Sequence, residues 1–322
     1  MHGTFLGGSR MILTVTMNPS IDISYPLAHL KIDDVNRIKD VQKTAGGKGL
    51  NVSRVIRQLG AELTATGLIG GHFGQFIEAR LTDDNIRHDF YRIDQESREC
   101  IAILHDGGNQ TEILEAGPTI TDAEATTFLK HYQNLLEAVD LVTISGSLPA
   151  GLPTDFYTTM IHLAHKMDKK VLLDTSGVTL RTALSATEKP DLIKPNEEEL
   201  QQLLNTKIDV QNLESLQQAL SNPIFKGVEW ICVSLGKHGA FAKHGDNFYA
   251  VKIPTIKVVN PVGSGDSTLA GLAVAIATDK SDIDILKTAM TSGMLNAMEK
   301  KTGYIDPQKF TMYFKQVMVN QL

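Results

Sequence analysis

The sequence predicts an α/β fold in three layers, with helices on both faces of a mostly parallel central sheet and a small second sheet acting as a lid. Three features carry this expectation. From Thr121 onward, strand-like apolar runs alternate with helical patterns, as parallel strands joined by helical crossovers require. Between about residues 86 and 115, three short strand patterns instead follow one another through turns. Two glycine-rich turns, Ala45-Gly46-Gly47-Lys48-Gly49-Leu50-Asn51 and Asn260-Pro261-Val262-Gly263-Ser264-Gly265-Asp266, each open an apolar helix.

In chain order, Ile12 to Met17 reads as a buried strand closed by the turn signal Asn18-Pro19. Ser20 to Tyr25 alternates, with Ile21, Ile23 and Tyr25 on one face and Asp22 on the polar face. A strand carboxylate such as Asp22 is ordinarily solvated; a role in binding is the alternative. A further strand is expected from Asn36 to Lys43. The first glycine-rich turn then starts a helix carrying Val52, Val55, Ile56 and Leu59 and ending at Gly60. Read plainly, this is a tight turn with a surface lysine; read functionally, its backbone and Asn51 meet hydroxyls while Lys48 stands near an anion.

Leu63 to Ile69 is a core strand, and Phe73, Phe76, Ile77 and Leu81 line a helix. The short strands His88–Ile93, Cys100–His105 and Gln110–Leu114, together with residues 20–44, supply the lid, with Arg98 at the mouth of one of them. Thr121-x-x-Glu124 is a capping box opening a helix through Leu136. Strands at Leu141–Ser145, Val171–Asp174 and Leu192–Lys194 alternate with helices at Asp155–Lys166 and from Asn196. Their carboxyl ends place Gly146-Ser147-Leu148-Pro149, Asp174 and Asn196 where open α/β sheets take ligands. After the strand Ile231–Ser234, the turn Leu235-Gly236-Lys237-His238-Gly239 is permissive enough to follow a nucleotide. A hairpin around Gly245-Asp246-Asn247 follows, then helices near Ser267–Thr278, Ile283–Glu299 and Pro307–Val319. Residues 11–322 thus form one domain, and Met1 to Arg10, lying ahead of the first strand, read as an expression remnant.

The second glycine-rich turn carries the chemistry. Gly263 and Gly265 let backbone amides approach a ligand closely, and the unpaired amides and dipole of the following helix favour an anion. Asp266 beside such a seat is either the cap of the helix or a general base that takes a proton from an attacking hydroxyl. The Walker ending is absent, and G-x-G-x-x-G fails at Thr268, so a dinucleotide fold is not indicated. Asn196 with Glu199 is likewise either a capping box or a holder of hydrated Mg²⁺.

The 322 residues are 42% hydrophobic and 21% charged, which suits one large soluble α/β domain. A net charge of -6 argues against nucleic-acid binding, so any phosphate recognition must be local. Cys100 and Cys232 are too few for a disulfide framework or zinc site, and the expected location is the cytoplasm. No apolar run is long enough to span a membrane.

Taken together, these motifs resemble the PfkB (ribokinase-like) carbohydrate kinases from about Met11 to the C terminus. Ala45 to Asn51 is similar to the first family signature and Asn260 to Asp266 to the second, although Pro261 and Ser264 depart from the usual Thr-x-Gly-Ala-Gly-Asp. Thr16-Met17-Asn18-Pro19-Ser20-Ile21-Asp22 and Ser145-Gly146-Ser147-Leu148-Pro149 are similar to the branch acting on ketohexose phosphates. The resemblance implies ATP-dependent phosphorylation of the C1 hydroxyl of a ketohexose 6-phosphate, first tagatose 6-phosphate, as in lactose and galactose catabolism. A fructose phosphate is the alternative, and a non-catalytic sugar-phosphate sensor a more distant one. By position it makes Asp266 the base, with Gly263, Ser264 and Gly265 as the anion hole. Asp22, Gly46, Gly47 and Asn51 would hold the sugar, and Lys48, Arg98 and, more weakly, Arg37 its phosphate. Lys194, Asn196 and Glu199 would place the ATP phosphates and Mg²⁺, and Ser234, Gly236 and Gly239 the nucleotide. A homodimer through the exposed lid edges is also expected.

Overall fold

The computed structural model describes residues 10–322. Apart from Arg10, the segment set apart at the start of the sequence lies outside the described residues. The chain runs through β1 (Met11–Thr16), β2 (Ser20–Pro26), β3 (Gln42–Gly46), α1 (Lys48–Gln58), β4 (Glu62–Gly70) and α2 (Gly71–Asp83). Then come β5 (Arg87–His88), β6 (Tyr91–Ile93), β7 (Arg98–His105), β8 (Asn109–Leu114), α3 (Asp122–Leu136) and β9 (Leu141–Ser145). Regular alternation follows with α4 (Phe156–His165), β10 (Lys170–Asp174), α5 (Gly177–Ser185), β11 (Leu192–Ile193), α6 (Glu197–Leu204), α7 (Leu213–Leu220) and β12 (Trp230–Ser234). The hairpin β13 (Ala240–His244) and β14 (Asn247–Lys252) precedes α8 (Ser264–Ala277), α9 (Asp282–Ala297), α10 (Phe310–Phe314) and β15 (Met318–Gln321).

The large sheet has the order β15-β14-β13-β12-β11-β10-β9-β1-β4-β5, with β6 also on β4. It is parallel from β12 to the β5 and β6 edge and antiparallel from β12 to β15. Successive β1 side chains serve opposite faces: Ile12 packs with α1, α8 and α9, whereas Leu13 and Val15 pack with α3, α4, α5 and α6. This produces the three layers. α8 is buried on nearly every side, which explains why its sequence is apolar all round, and it aims its N-terminus at the carboxyl ends of the strands. The lid is a four-stranded sheet, β3-β2-β7-β8, attached through Ile21, Ile23 and Ala45, which join the main core. Among the described residues no helix is long and apolar enough to cross a membrane.

Three expectations need correction. The segment expected as a lid strand at 88–93 is two short strands, β5 and β6, both parallel to β4 at the edge of the large sheet. Ile86, Phe90 and Ile93 are buried in the main core, and this anchorage outweighs the turn-linked look of the sequence. The lid is therefore drawn from residues 20–46 and 98–114. The strand expected from Asn36 begins only at Gln42. Asn36 is instead held in a local turn, its side chain accepting from Lys31 N at 3.0 Å and donating to Lys31 O at 2.7 Å. The last helix stops at Phe314, and residues 318–321 extend the large sheet as β15 against β14. α5 and α7, unmarked in the sequence, complete the second helical layer.

Candidate active site

A cavity of about 640 Å³ opens between the lid and the carboxyl ends of the parallel strands. Its floor carries Asp266 from α8, Lys48 and Asn51 from α1, and Asp174 and Lys194 from the ends of β10 and β11. The helix cap is Gly263, in the left-handed conformation at φ 81°, and makes no side-chain capping bond. Asp266, three residues beyond this cap, lies inside the first turn of the helix and is thus no cap. Its carboxylate is buried and accepts a hydrogen bond from Asn51 Nδ2 at 2.8 Å. Burial raises the Asp266 pKa to about 6, and the nearby Asp174 carboxylate adds to the rise; Asn51, Lys48 and Lys194 oppose it. Such a group is ionised at neutral pH yet basic enough to accept a proton.

Two cations balance these acids. Lys194 Nζ lies 3.5 Å from Asp174 Oδ2, with both side chains buried. A Cβ on Gly265 would come within 3.2 Å of that ammonium, so glycine there lets Lys194 sit against the start of α8. The charge of Asp174, with those of Asp266 and Glu199, holds the Lys48 pKa above its usual value. The anion seat at α8 is braced from behind by Asn296, which is fully buried, donates to Val262 O at 2.9 Å and accepts from Gly303 N at 2.8 Å.

At the lid, Ser20 Oγ donates to Asp22 Oδ1 at 2.6 Å, and burial raises the Asp22 pKa despite the neighbouring Arg54 and Arg98. A Cβ on Gly46 would fall 2.0 Å from Asp22 Cγ, so this glycine clears space for the carboxylate without itself lining the cavity. Gly47 and Arg98 do line it. Arg98 also ties the lid to the body, donating through Nε and Nη2 to Asn18 O at 3.2 and 3.1 Å and through Nη1 to Glu115 O at 2.9 Å.

Behind Lys48 and Arg98 a smaller chamber of about 210 Å³ is walled by Thr16, Asn18, Ser145, Gly146, Ser147, Thr175 and Ser176. Three buried atoms in that wall, Thr16 Oγ1, Asn18 Oδ1 and Ser145 Oγ, have no hydrogen-bond partner among the described residues. Two cations beside a set of unpartnered hydroxyls suit a phosphate group.

At the opposite end stand Asn196, Glu199 and Ser234. Asn196 and Glu199 form a reciprocal capping box: Asn196 Oδ1 accepts from Glu199 N at 2.8 Å and Glu199 Oε2 accepts from Asn196 N at 2.9 Å. Glu199 Oε1 carries no hydrogen bond from the described residues, so a hydrated divalent cation fits through water and not by direct ligation from both side chains. Ser264, Gly236 and Gly239 do not line the cavity. Ser264 Oγ instead bonds Pro261 O at 2.8 Å, and the two glycines shape the turn after β12 at φ 56° and 92°. Arg37 is exposed on the turn before β3 and reaches neither cavity. Sequence reasoning passed over Arg54, Asn296, Lys300, Lys301 and Thr302, and noted Asp174 only as a strand end. No sequence signal set Arg54 or Asn296 apart, because α1 and α9 each carry several other polar residues.

A buried carboxylate facing the N-terminus of a buried helix, with two lysines at hand, can accept a hydroxyl proton while the helix amides hold a transferring phosphoryl group. Such an arrangement suits phosphoryl transfer to a hydroxyl. A profile of the pfkB family carbohydrate kinases matches residues 15–309, and the chain belongs to this family. It is similar to a provisionally assigned phosphofructokinase from Staphylococcus aureus, with 32% identity, TM-score 0.83, and 97% of this chain and 99% of that one covered. It is also similar to phosphofructokinase-2 from Escherichia coli solved with potassium, with 25% identity, TM-score 0.88, and 95% and 98% covered. The same Escherichia coli protein solved with fructose-6-phosphate shares the fold at 23% identity and TM-score 0.84, with 95% and 98% covered.

Proposed function

We propose that this carbohydrate kinase transfers the γ-phosphoryl group of ATP to the C1 hydroxyl of a ketohexose 6-phosphate, with tagatose 6-phosphate as its preferred acceptor. The observation that carries the reading is the side chamber: Lys48, Arg98 and the unpartnered hydroxyls of Thr16 and Ser145 form a phosphate seat alongside the cavity that holds Asp266. An acceptor that already bears a phosphate is therefore expected. Held there, and by Asp22 and the backbone at Gly47, a furanose presents its far primary hydroxyl to Asp266, which takes the proton as the oxygen attacks. Gly263 and Gly265 offer amides to the phosphoryl group, whereas the expected Ser264 amide is already given to Pro261 O at 3.2 Å; Lys194 and Lys48 offset charge on the phosphates. Ser234 and the turn at Gly236 and Gly239 border the nucleotide. Mg²⁺, bound through water at Glu199 and Asn196, would neutralise phosphate charge. The lid excludes water from the reacting groups.

A second reading, fructose 6-phosphate or fructose 1-phosphate as acceptor, is favoured by the likeness to phosphofructokinases. The test is kcat/KM measured side by side for tagatose 6-phosphate, fructose 6-phosphate and fructose 1-phosphate. A preference for tagatose 6-phosphate supports the first reading and a preference for either fructose phosphate the second. No ADP with any of them would reduce the protein to a sugar-phosphate sensor.

The lid also exposes apolar side chains, with Leu104, Ile113 and Leu114 on β7 and β8, of which Leu104 and Leu114 line the cavity, and Ile32 and Val35 on the loop between β2 and β3. Pairing of two lids would cover them, and the expected species is a homodimer. Sedimentation at working concentration checks this; a monomer would refute it.

A further inference from the structure

Arg54 sits on α1 between Ser53 and Val55 and is only 2% exposed, where an arginine is costly unless its charge and donors are used; Nη1 and Nη2 are used, and Nε has no partner among the described residues. Its Nη1 donates to the Ala45 carbonyl at 2.6 Å, at the end of lid strand β3. Its Nη2 donates to Asn51 Oδ1, and its guanidinium lies 5.6 Å from the Tyr304 ring centre. Asn51 in turn donates through Nδ2 to Asp266 at 2.8 Å.

The chemistry of these groups fixes their orientation. A guanidinium can only donate, so the Asn51 atom facing it is the oxygen and the amide nitrogen is turned to Asp266. Rotated by half a turn, the same amide would set an oxygen against the carboxylate, acceptor against acceptor. The backbone closes the remaining side: a Cβ on Gly303 would lie 3.0 Å from Asn51 Oδ1 and 3.1 Å from Arg54 Nε. The charged and titratable groups around Arg54 are Asp22, Asp84, Tyr304, Lys301 and Asp266. Those around Asp266 are Asp174, Lys48 and Lys194.

We infer that Arg54 is a positioning residue that locks the Asn51 amide with its nitrogen toward Asp266 and fastens that lock to the lid through Ala45. The inference rests on the reading of Asp266 as the base, and its test separates the two. The Asp266 carboxyl is followed by ¹³C NMR against pH in the full-length protein, assigned by its loss in Asp266→Asn. Wild type, Arg54→Met, Asn51→Ala and the double variant are compared, with kcat measured over the same range. Arg54→Met should move the Asp266 titration up by about one pH unit and lower kcat roughly fivefold or more near pH 6, less at pH 8, with KM for ATP unchanged. In the Asn51→Ala background, Arg54→Met should add little. Arg54→Lys keeps the charge but replaces the fork with one ammonium, and should show part of the same shift if Arg54→Met does not fold. An unmoved titration in a folded variant overturns the lock, as do shifts that simply add, since the arginine would then act by charge alone. A titration that moves while kcat does not would leave the lock standing and remove Asp266 as the base.

Discussion

Asp266→Asn should lower kcat by roughly 10² to 10⁴-fold while leaving the protein folded and able to bind ATP. The amide can still accept the hydrogen bond that Asn51 gives, so the local geometry survives, but it cannot take a proton. Because Gly263 caps α8, the substitution removes no cap. The same variant should be more stable than wild type at pH 7.5. The folded-state pKa of Asp266 lies near 6, above its ordinary 3.8, so its contribution to stability is full below about pH 4 and is lost as the pH rises through 6. Above that, the folded protein carries a buried charge whose removal is worth roughly 1 to 3 kcal/mol. Thermal melts at pH 7.5 and pH 4 check this: Asp266→Asn should melt higher at the first and level with wild type at the second. In wild type, kcat should fall as the pH drops through about 6, because only the ionised carboxylate accepts the proton.

Arg98→Ala should raise KM for the phosphosugar about tenfold or more and leave KM for ATP nearly fixed. A charge-assisted contact to a phosphate is worth roughly 1.5 to 3 kcal/mol, which sets this scale. The structure adds a second effect. Arg98 also holds the carbonyls of Asn18 and Glu115, where the lid meets the body, so its loss should loosen the lid as well. Faster amide exchange in β7 and β8 would report that part separately. An unchanged sugar KM with faster exchange would make Arg98 a structural tie and nothing more.

Much of this site was readable because its parts depend on local rules. A glycine at φ 81° opening a buried helix, and Gly46 and Gly47 beside Asp22, leave a mark in the sequence: the backbone must turn or approach closely there. Strand ends are also local, so Asp174, Lys194 and Ser234 fell at carboxyl ends as the alternation indicates. What stayed hidden depends on contacts far apart in sequence. Asn51 meets Asp266 across 215 residues, and no spacing records that bond. Arg54 looks like a surface arginine until α8 and the loop at Tyr304 close over it. β5 and β6 joined the large sheet because Phe90 and Ile93 found its core, and β15 formed because β14 offered an open edge. Arg37 shows the reverse error: a basic residue near the lid in sequence that the turn at Asn36 keeps away from the cavity.

The position of the new phosphate is the most direct measure of how the sugar is seated. ³¹P NMR of the product formed from ATP and tagatose 6-phosphate should show a second phosphomonoester, coupled to the C1 protons, while the original 6-phosphate signal persists. ATP consumed with release of inorganic phosphate, or a phosphate placed on any other carbon, would contradict the proposed seating of the sugar between the side chamber and Asp266.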